Sequence, residues 1–151
     1  MKLQDPEQSS TRSQNSCEDN KCTADSVIDD NLNSRIVTTN LLGVEWWSAT
    51  LPGVVDIATI MVFASGHALN KGYYGKFKVD TRLTEKKEWV VCKGPYSLNE
   101  PHFPHIVQCN ASITLAKYIR LSVGGNKNLY LYEVKVAGTV KGESKIHISK
   151  S

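Results

Sequence analysis

The feature that most constrains this chain is a series of short alternating segments cut by turns. Residues 117–123 set Ile119, Leu121 and Val123 against Tyr118, Arg120 and Ser122. Gly124-Gly125-Asn126-Lys127-Asn128 reads as a five-residue hairpin turn, and residues 129–137 alternate again. A period of two sends successive side chains to opposite faces of a sheet. Lys76-Phe77-Lys78-Val79-Asp80 follows the same rule, so one face of that strand is wet. Residues 57–64 are an apolar, β-branched run, residues 89–92 are short and apolar, and residues 45–51 carry Trp46-Trp47. Nowhere do ten residues keep a clean helical period. Many short strands between turns predict an all-β sandwich or barrel.

A length of 151 residues suits one domain. Forty per cent hydrophobic residues against 22% charged is enough to bury a core, which excludes a disordered chain. No apolar run approaches the ~18 residues that span a bilayer, so no membrane span is expected. A net charge of +3 is too small to indicate a nucleic-acid partner. Its distribution is uneven. Residues 1–34 hold seven acids and three bases, a net of −4; the other eight acids and fifteen bases give +7.

Cys17, Cys22, Cys92 and Cys109 lack the spacing of a zinc ribbon or a redox motif and read as two local disulfides, 17–22 and 92–109. Disulfides belong to an oxidising compartment. The sequon at Asn110-Ala111-Ser112 points the same way, with Asn110 as the glycan acceptor. Met1-Lys2-Leu3-Gln4-Asp5-Pro6 has no apolar core of a signal peptide. The expectation is a secreted or extracellular domain with Met1 supplied by cloning; the alternative is a cytosolic chain with free thiols. Residues 1–24 are expected to be loop-like, 25–33 a polar turn, 94–105 a long ordered loop, and 139–151 a frayed Lys/Ser-rich tail.

Catalytic signatures are lacking: the sequence has no GxSxG elbow, no P-loop and no HExxH. His102 and His105, without a third ligand, read as solvent-exposed side chains rather than a zinc site. The turn is chemically richer. Asp25, Asp29, Asp30, Asn31, Asn33 and Ser34 place many oxygen donors within ten residues, as a hard cation requires. Composition alone leaves calcium and an ordinary polar turn both open.

The order of short motifs narrows the choice. Gln8-Ser9-Ser10-Thr11 is followed by Val27-Ile28-Asp29-Asp30-Asn31 and Ser34-Arg35-Ile36-Val37-Thr38. Then come Trp46-Trp47-Ser48-Ala49-Thr50-Leu51 and residues 129–136, LYLYEVKV. This resembles the F-type lectin (fucolectin) family, whose pattern runs QSST, AIDGN, SCTHT, WWRVDL and LTLCEVEV. The resemblance covers about residues 4–138. It implies a jelly-roll β-sandwich shared with discoidin domains over residues 1–138, and a disulfide at Cys92–Cys109. It also implies a structural calcium held by Ser26, Asp29, Asn31, Ser34, Tyr132 through its carbonyl, and Glu133. Asp30 replaces the family's glycine, a position where Asp tolerates left-handed φ better than most residues.

The family's fucose-binding His, Arg, Asp and Arg fall at Val37, Ala64, Gly66 and Lys71. Three have lost their polar side chain, and Lys lacks the planar fork of Arg. Each lost charged hydrogen bond is worth roughly 1.5–3 kcal/mol, enough together to erase a weak monosaccharide affinity. The family's adjacent-cysteine disulfide, on which the sugar packs, falls at His67-Ala68. The two cysteines that pair in SCTHT and LTLCEVEV are both replaced here, by Arg35 and Tyr132.

The resemblance therefore implies a non-catalytic recognition module diverged from simple fucose binding. Its ligands would be glycans or glycoproteins, met by a pocket near Val37, Ala64, Gly66, His67 and Lys71. A protein-interaction module on the same scaffold is the alternative. Trp46 and Trp47 are expected to divide between core and loop layer, and Lys76, Lys78, Lys86 and Lys87 to be solvated.

Overall fold

A computed structural model describes residues 1–9, 24–28, 36–37, 44–63, 76–96, 104–110, 115–124 and 129–141. Nine strands organise them: β1 (Gln4–Gln8), β2 (Ile36–Val37), β3 (Glu45–Phe63), β4 (Phe77–Arg82), β5 (Val90–Tyr96), β6 (His105–Val107), β7 (Leu115–Val123), β8 (Tyr130–Leu131) and β9 (Glu133–Val140). A single 3-10 turn, Ala24–Val27, is the only helical segment among the described residues. None of it is long and apolar enough to cross a membrane.

The two segments expected at 45–51 and 57–64 are one strand, β3. Its first half pairs antiparallel with β1 and β7, and β7 continues to β4 and β5. Its second half pairs with β9 and β6. The register against β7 breaks between Thr50 and Val55, across Pro52-Gly53. A strand that bends in this way can serve both layers of a sandwich. The inward side chains of both halves meet in one core. Trp47, Ala49 and Leu51 come from the first half, Val55, Ile57, Ile60 and Val62 from the second, and Phe77, Val79, Ile119, Leu121, Val134 and Val136 from the partner strands. The alternation predicted for 117–123 holds, with Ile119, Leu121 and Val123 buried.

Four expectations are corrected. The amino-terminal segment is not all loop: β1 pairs along β3, and Leu3 joins the core. The QSST motif explains part of this. The Ser9 hydroxyl donates to the buried Glu45 carboxylate, accepts from the Trp46 N–H at 3.0 Å, and the Ser9 N–H donates to the Trp46 carbonyl at 2.9 Å. The strands flanking 124–128 do not form a hairpin. β7 pairs with β3 and β4, whereas β8 pairs with β2 and β9 with β3. Alternation says which side chains face the core and leaves the partner strand open. The tail begins later than residue 139, because Thr139 and Val140 pair with Asp56 and Val55. The loop expected at 94–105 is shorter at its start, since β5 runs to Tyr96.

Cys92 and Cys109 are disulfide-bonded, with Cα atoms 4.5 Å apart. The bond joins β5, in the first layer, to the segment that leaves β6, in the second. The Asn110 N–H donates to the Cys92 carbonyl at 3.3 Å, and Asn110 is exposed, as a glycan acceptor must be. The Cys17–Cys22 pair lies outside the described residues.

Candidate functional site

Three places carry the candidate chemistry. The first is the pocket implied at Val37 and 64–71. Ala64, Gly66, His67 and Lys71 lie outside the described residues. Val37 is in β2, paired with Tyr130. The 64–71 segment leaves the chain at Phe63, which pairs with Glu133 and whose carbonyl accepts the Tyr132 N–H at 2.9 Å. The structure thus brings the strand of Val37 and the root of 64–71 to one short stretch, 130–133.

The second place is the start of the polar turn, where Ile28 lies near the same stretch. Glu133 opens β9 and is 1% exposed. It lines a cavity of about 520 Å³ together with Leu3, Ile28 and Val134. Ser26 belongs to the 3-10 turn immediately before Ile28. That turn is fixed from two sides: the Ile28 N–H donates to the Asp25 carbonyl at 3.1 Å, and the indole N–H of core residue Trp47 donates to the Ala24 carbonyl at 2.9 Å. Tyr132 is half-buried between β8 and β9. Asp29, Asn31 and Ser34 lie outside the described residues. Among the described residues no three His, Cys, Asp or Glu side chains converge as a metal cluster. The described residues place the buried Glu133 carboxylate on a cavity that Ile28, next to the 3-10 turn, also lines, together with Lys2 and Lys135.

The third place was missed by sequence reasoning. Three rows cross the outward face of the first layer: Trp46–Ser122–Lys78, Ser48–Arg120–Asp80 and Thr50–Tyr118–Arg82. β1 adds Glu7 opposite Ser48. Asp80 is buried and accepts from Arg120 Nη2 at 3.0 Å and Nε at 3.3 Å, with Lys78 Nζ at 3.7 Å. The Arg120 guanidinium stands 4.6 Å from the Trp89 ring centroid, and that of Arg82 stands 4.2 Å from Trp89 and 5.4 Å from Tyr118. Cations and rings therefore alternate along the face, each pair worth about 0.5–1 kcal/mol or more as water is excluded. Arg82 Nη1 donates to the Glu85 carbonyl at 3.3 Å. A groove of about 330 Å³ opens beside Arg82, Trp89 and Tyr118. The alternation of 76–80 and 117–123 marked these residues as outward-facing, but only the register puts them side by side.

His102 lies outside the described residues. His105 corrects the expectation of a solvent-exposed side chain: it is 8% exposed and stands edge-on to Phe77, ring centroids 6.3 Å apart.

The fold is that of the F-type lectin and carbohydrate-binding jelly-roll modules. The lectin domain of lectinolysin, solved with Lewis b antigen, superposes with a TM-score of 0.70 at 23% identity, over 91% of this chain and 94% of that one. The serum fucolectin of striped bass (Morone saxatilis) gives 0.71 at 19% identity, over 90% of this chain and 45% of that one. A chitosan-binding module of a chitosanase/glucanase from Paenibacillus sp. IK-5 gives 0.67 at 14% identity, over 89% and 95%. No protein-family model matches the sequence, and neither does any curated protein.

Proposed function

We propose that this chain is a non-catalytic carbohydrate-recognition module, secreted or extracellular, carrying a structural calcium. The observation that carries the reading is the fold: nine-tenths of the chain superposes on a lectin domain solved with a glycan. The interlayer Cys92–Cys109 disulfide and the exposed Asn110 sequon support an oxidising, glycosylating compartment. The buried Glu133 beside the turn supports the cation, with Ser26, Asp29, Asn31, Ser34 and the Tyr132 carbonyl as its further ligands. Val37, Ala64 and Gly66 offer no charged hydrogen bond, so specificity differs from that of a simple fucose binder.

The test is a glycan array probed with oxidised protein in millimolar calcium, with free L-fucose as competitor. Binding to one or more glycans without competition by fucose is the expected result. A blank array from folded protein overturns the reading and turns the search to protein partners.

A further inference from the structure

The outward face of the first layer holds the least explained chemistry among the described residues. Asp5, Glu7 and Glu85 line the groove together with Ser48, Thr50, Trp89 and Tyr118. Its volume of about 330 Å³ falls in the range of small-ligand pockets, roughly 300–1,000 Å³. Arg82 is stacked on two rings and tethered through Nη1, which fixes its guanidinium plane. Its Nε is buried and has no hydrogen-bond partner among the described residues. A buried charged donor left unfilled is expensive, so the group calls for a partner.

We propose that this groove is a saccharide subsite centred on Arg82, separate from the 64–71 segment, and that it takes a neutral pyranose unit. The assignment rests on the carbohydrate reading above and names where and what. Its logic is donor and acceptor balance. A sugar hydroxyl both donates and accepts. The groove sets guanidinium donors beside three carboxylates and the hydroxyl-bearing Ser48, Thr50 and Tyr118, which a ligand with both capacities satisfies best. An anion placed on Arg82 would stand among Asp5, Glu7 and Glu85. A cation drawn to those acids would face the guanidinium and leave its donors unfilled. The aromatic wall supplies a surface for the apolar C–H face of a pyranose ring.

The rim also shows a local distortion. Asp5 has φ of 45°, in the left-handed region that non-glycine residues seldom occupy. It sits in a bulge where β1 carries one extra residue between its Gln4–Thr50 and Glu7–Ser48 pairings. Bulges re-aim side chains beside binding sites, and here the bulge sets two acids along one rim.

The experiment is a set of ¹H–¹⁵N NMR titrations of the oxidised protein. The neutral probes are the methyl glycosides of galactose, glucose and mannose, together with any oligosaccharide that the array returns. Galacturonate and galactosamine are the charged comparators. The expected result is saturable shifts of the Trp89 indole N–H and of the amides of Ser48, Thr50 and Tyr118 with a neutral probe. Arg82→Lys should weaken binding at least tenfold. Asp5→Asn with Glu7→Gln, both at exposed positions, should weaken it severalfold without moving the melting temperature. Lys87→Ala, at an exposed position outside the groove, should leave affinity unchanged. Shifts confined to 64–71, unchanged affinity in the Arg82 and rim variants, or tighter binding of a charged comparator each overturn the subsite. A positive array with no groove shifts removes the subsite and leaves the carbohydrate reading standing; a blank array removes both.

Discussion

Asp80 is 1% exposed on the outward sheet face, where its row neighbours Ser48 and Arg120 are half-buried. A carboxylate there is tolerated because Arg120 delivers two N–H groups to one oxygen and Lys78 adds a second cation. Asp80→Asn keeps the shape and removes the charge. The guanidinium then donates to a neutral amide oxygen and loses its counter-charge, so a loss of about 1.5–3 kcal/mol in urea denaturation is expected. Arg120 also faces Trp89, so the tryptophan emission of the folded variant should shift as well. A variant as stable as the parent would show that the Asp80–Arg120 pair adds nothing net. Single residues were unevenly legible. Trp47 is fully buried and Trp46 half-buried, as a period of two requires of neighbours. His105 was misread because nothing in a proline-bounded loop signals that Phe77, 28 positions earlier, closes over it.

At the scale of the element, β3 decides the architecture. Its buried positions run Trp47, Ala49, Leu51, Val55 and Ile57, then change phase to Ile60 and Val62. The change is a bulge: Ile57 pairs with Gly138, Thr59 with Ala137, and Ala58 is the extra residue. Gly138 is required there for space. A Cβ on it would lie 2.3 Å from the Asp56 carbonyl oxygen and 3.1 Å from the Ile57 Cα, both backbone atoms that cannot turn aside. Gly138→Ala should therefore shift β9 against β3 and lower stability by about 1–3 kcal/mol, read from the denaturation midpoint. If the midpoint holds, the bulge has room that the structure denies it. The sequence showed residues 57–64 as an apolar run without revealing the phase change, since every residue in it is compatible with either face. For the same reason residues 124–128 were read as a hairpin. The strand periods were legible, whereas pairing partners depend on contacts between strands far apart in sequence.

At the scale of the molecule, the ordered motifs made the sandwich legible because their described residues sit at joints. Ser9 ties β1 to β3, Trp47 ties the 3-10 turn to the core, and Glu133 opens β9 beside that turn. The outer-face groove stayed hidden because its members come from β1, β3, β4, β7 and the β4–β5 connection, with no local pattern among them. The proposed calcium would draw on Glu133 at the start of β9 as well as on the turn, so it should act on the whole fold rather than on one loop. An ion at 100 times its dissociation constant adds about 2.7 kcal/mol to the folded state. For a domain near 150 residues that raises the melting temperature by roughly 5–11 °C, at about 2–4 °C per kcal/mol. Differential scanning fluorimetry in chelator and in millimolar calcium should show that rise, with magnesium far less effective because of its stricter octahedral demand. Glu133→Gln keeps the buried shape but gives up the carboxylate, so it should lose most of the calcium response. A variant that melts lower by the same amount in both conditions would mark Glu133 as packing alone. A parent protein whose melting temperature ignores calcium would leave the buried carboxylate to the interior of the sandwich and end the proposal of a bound ion.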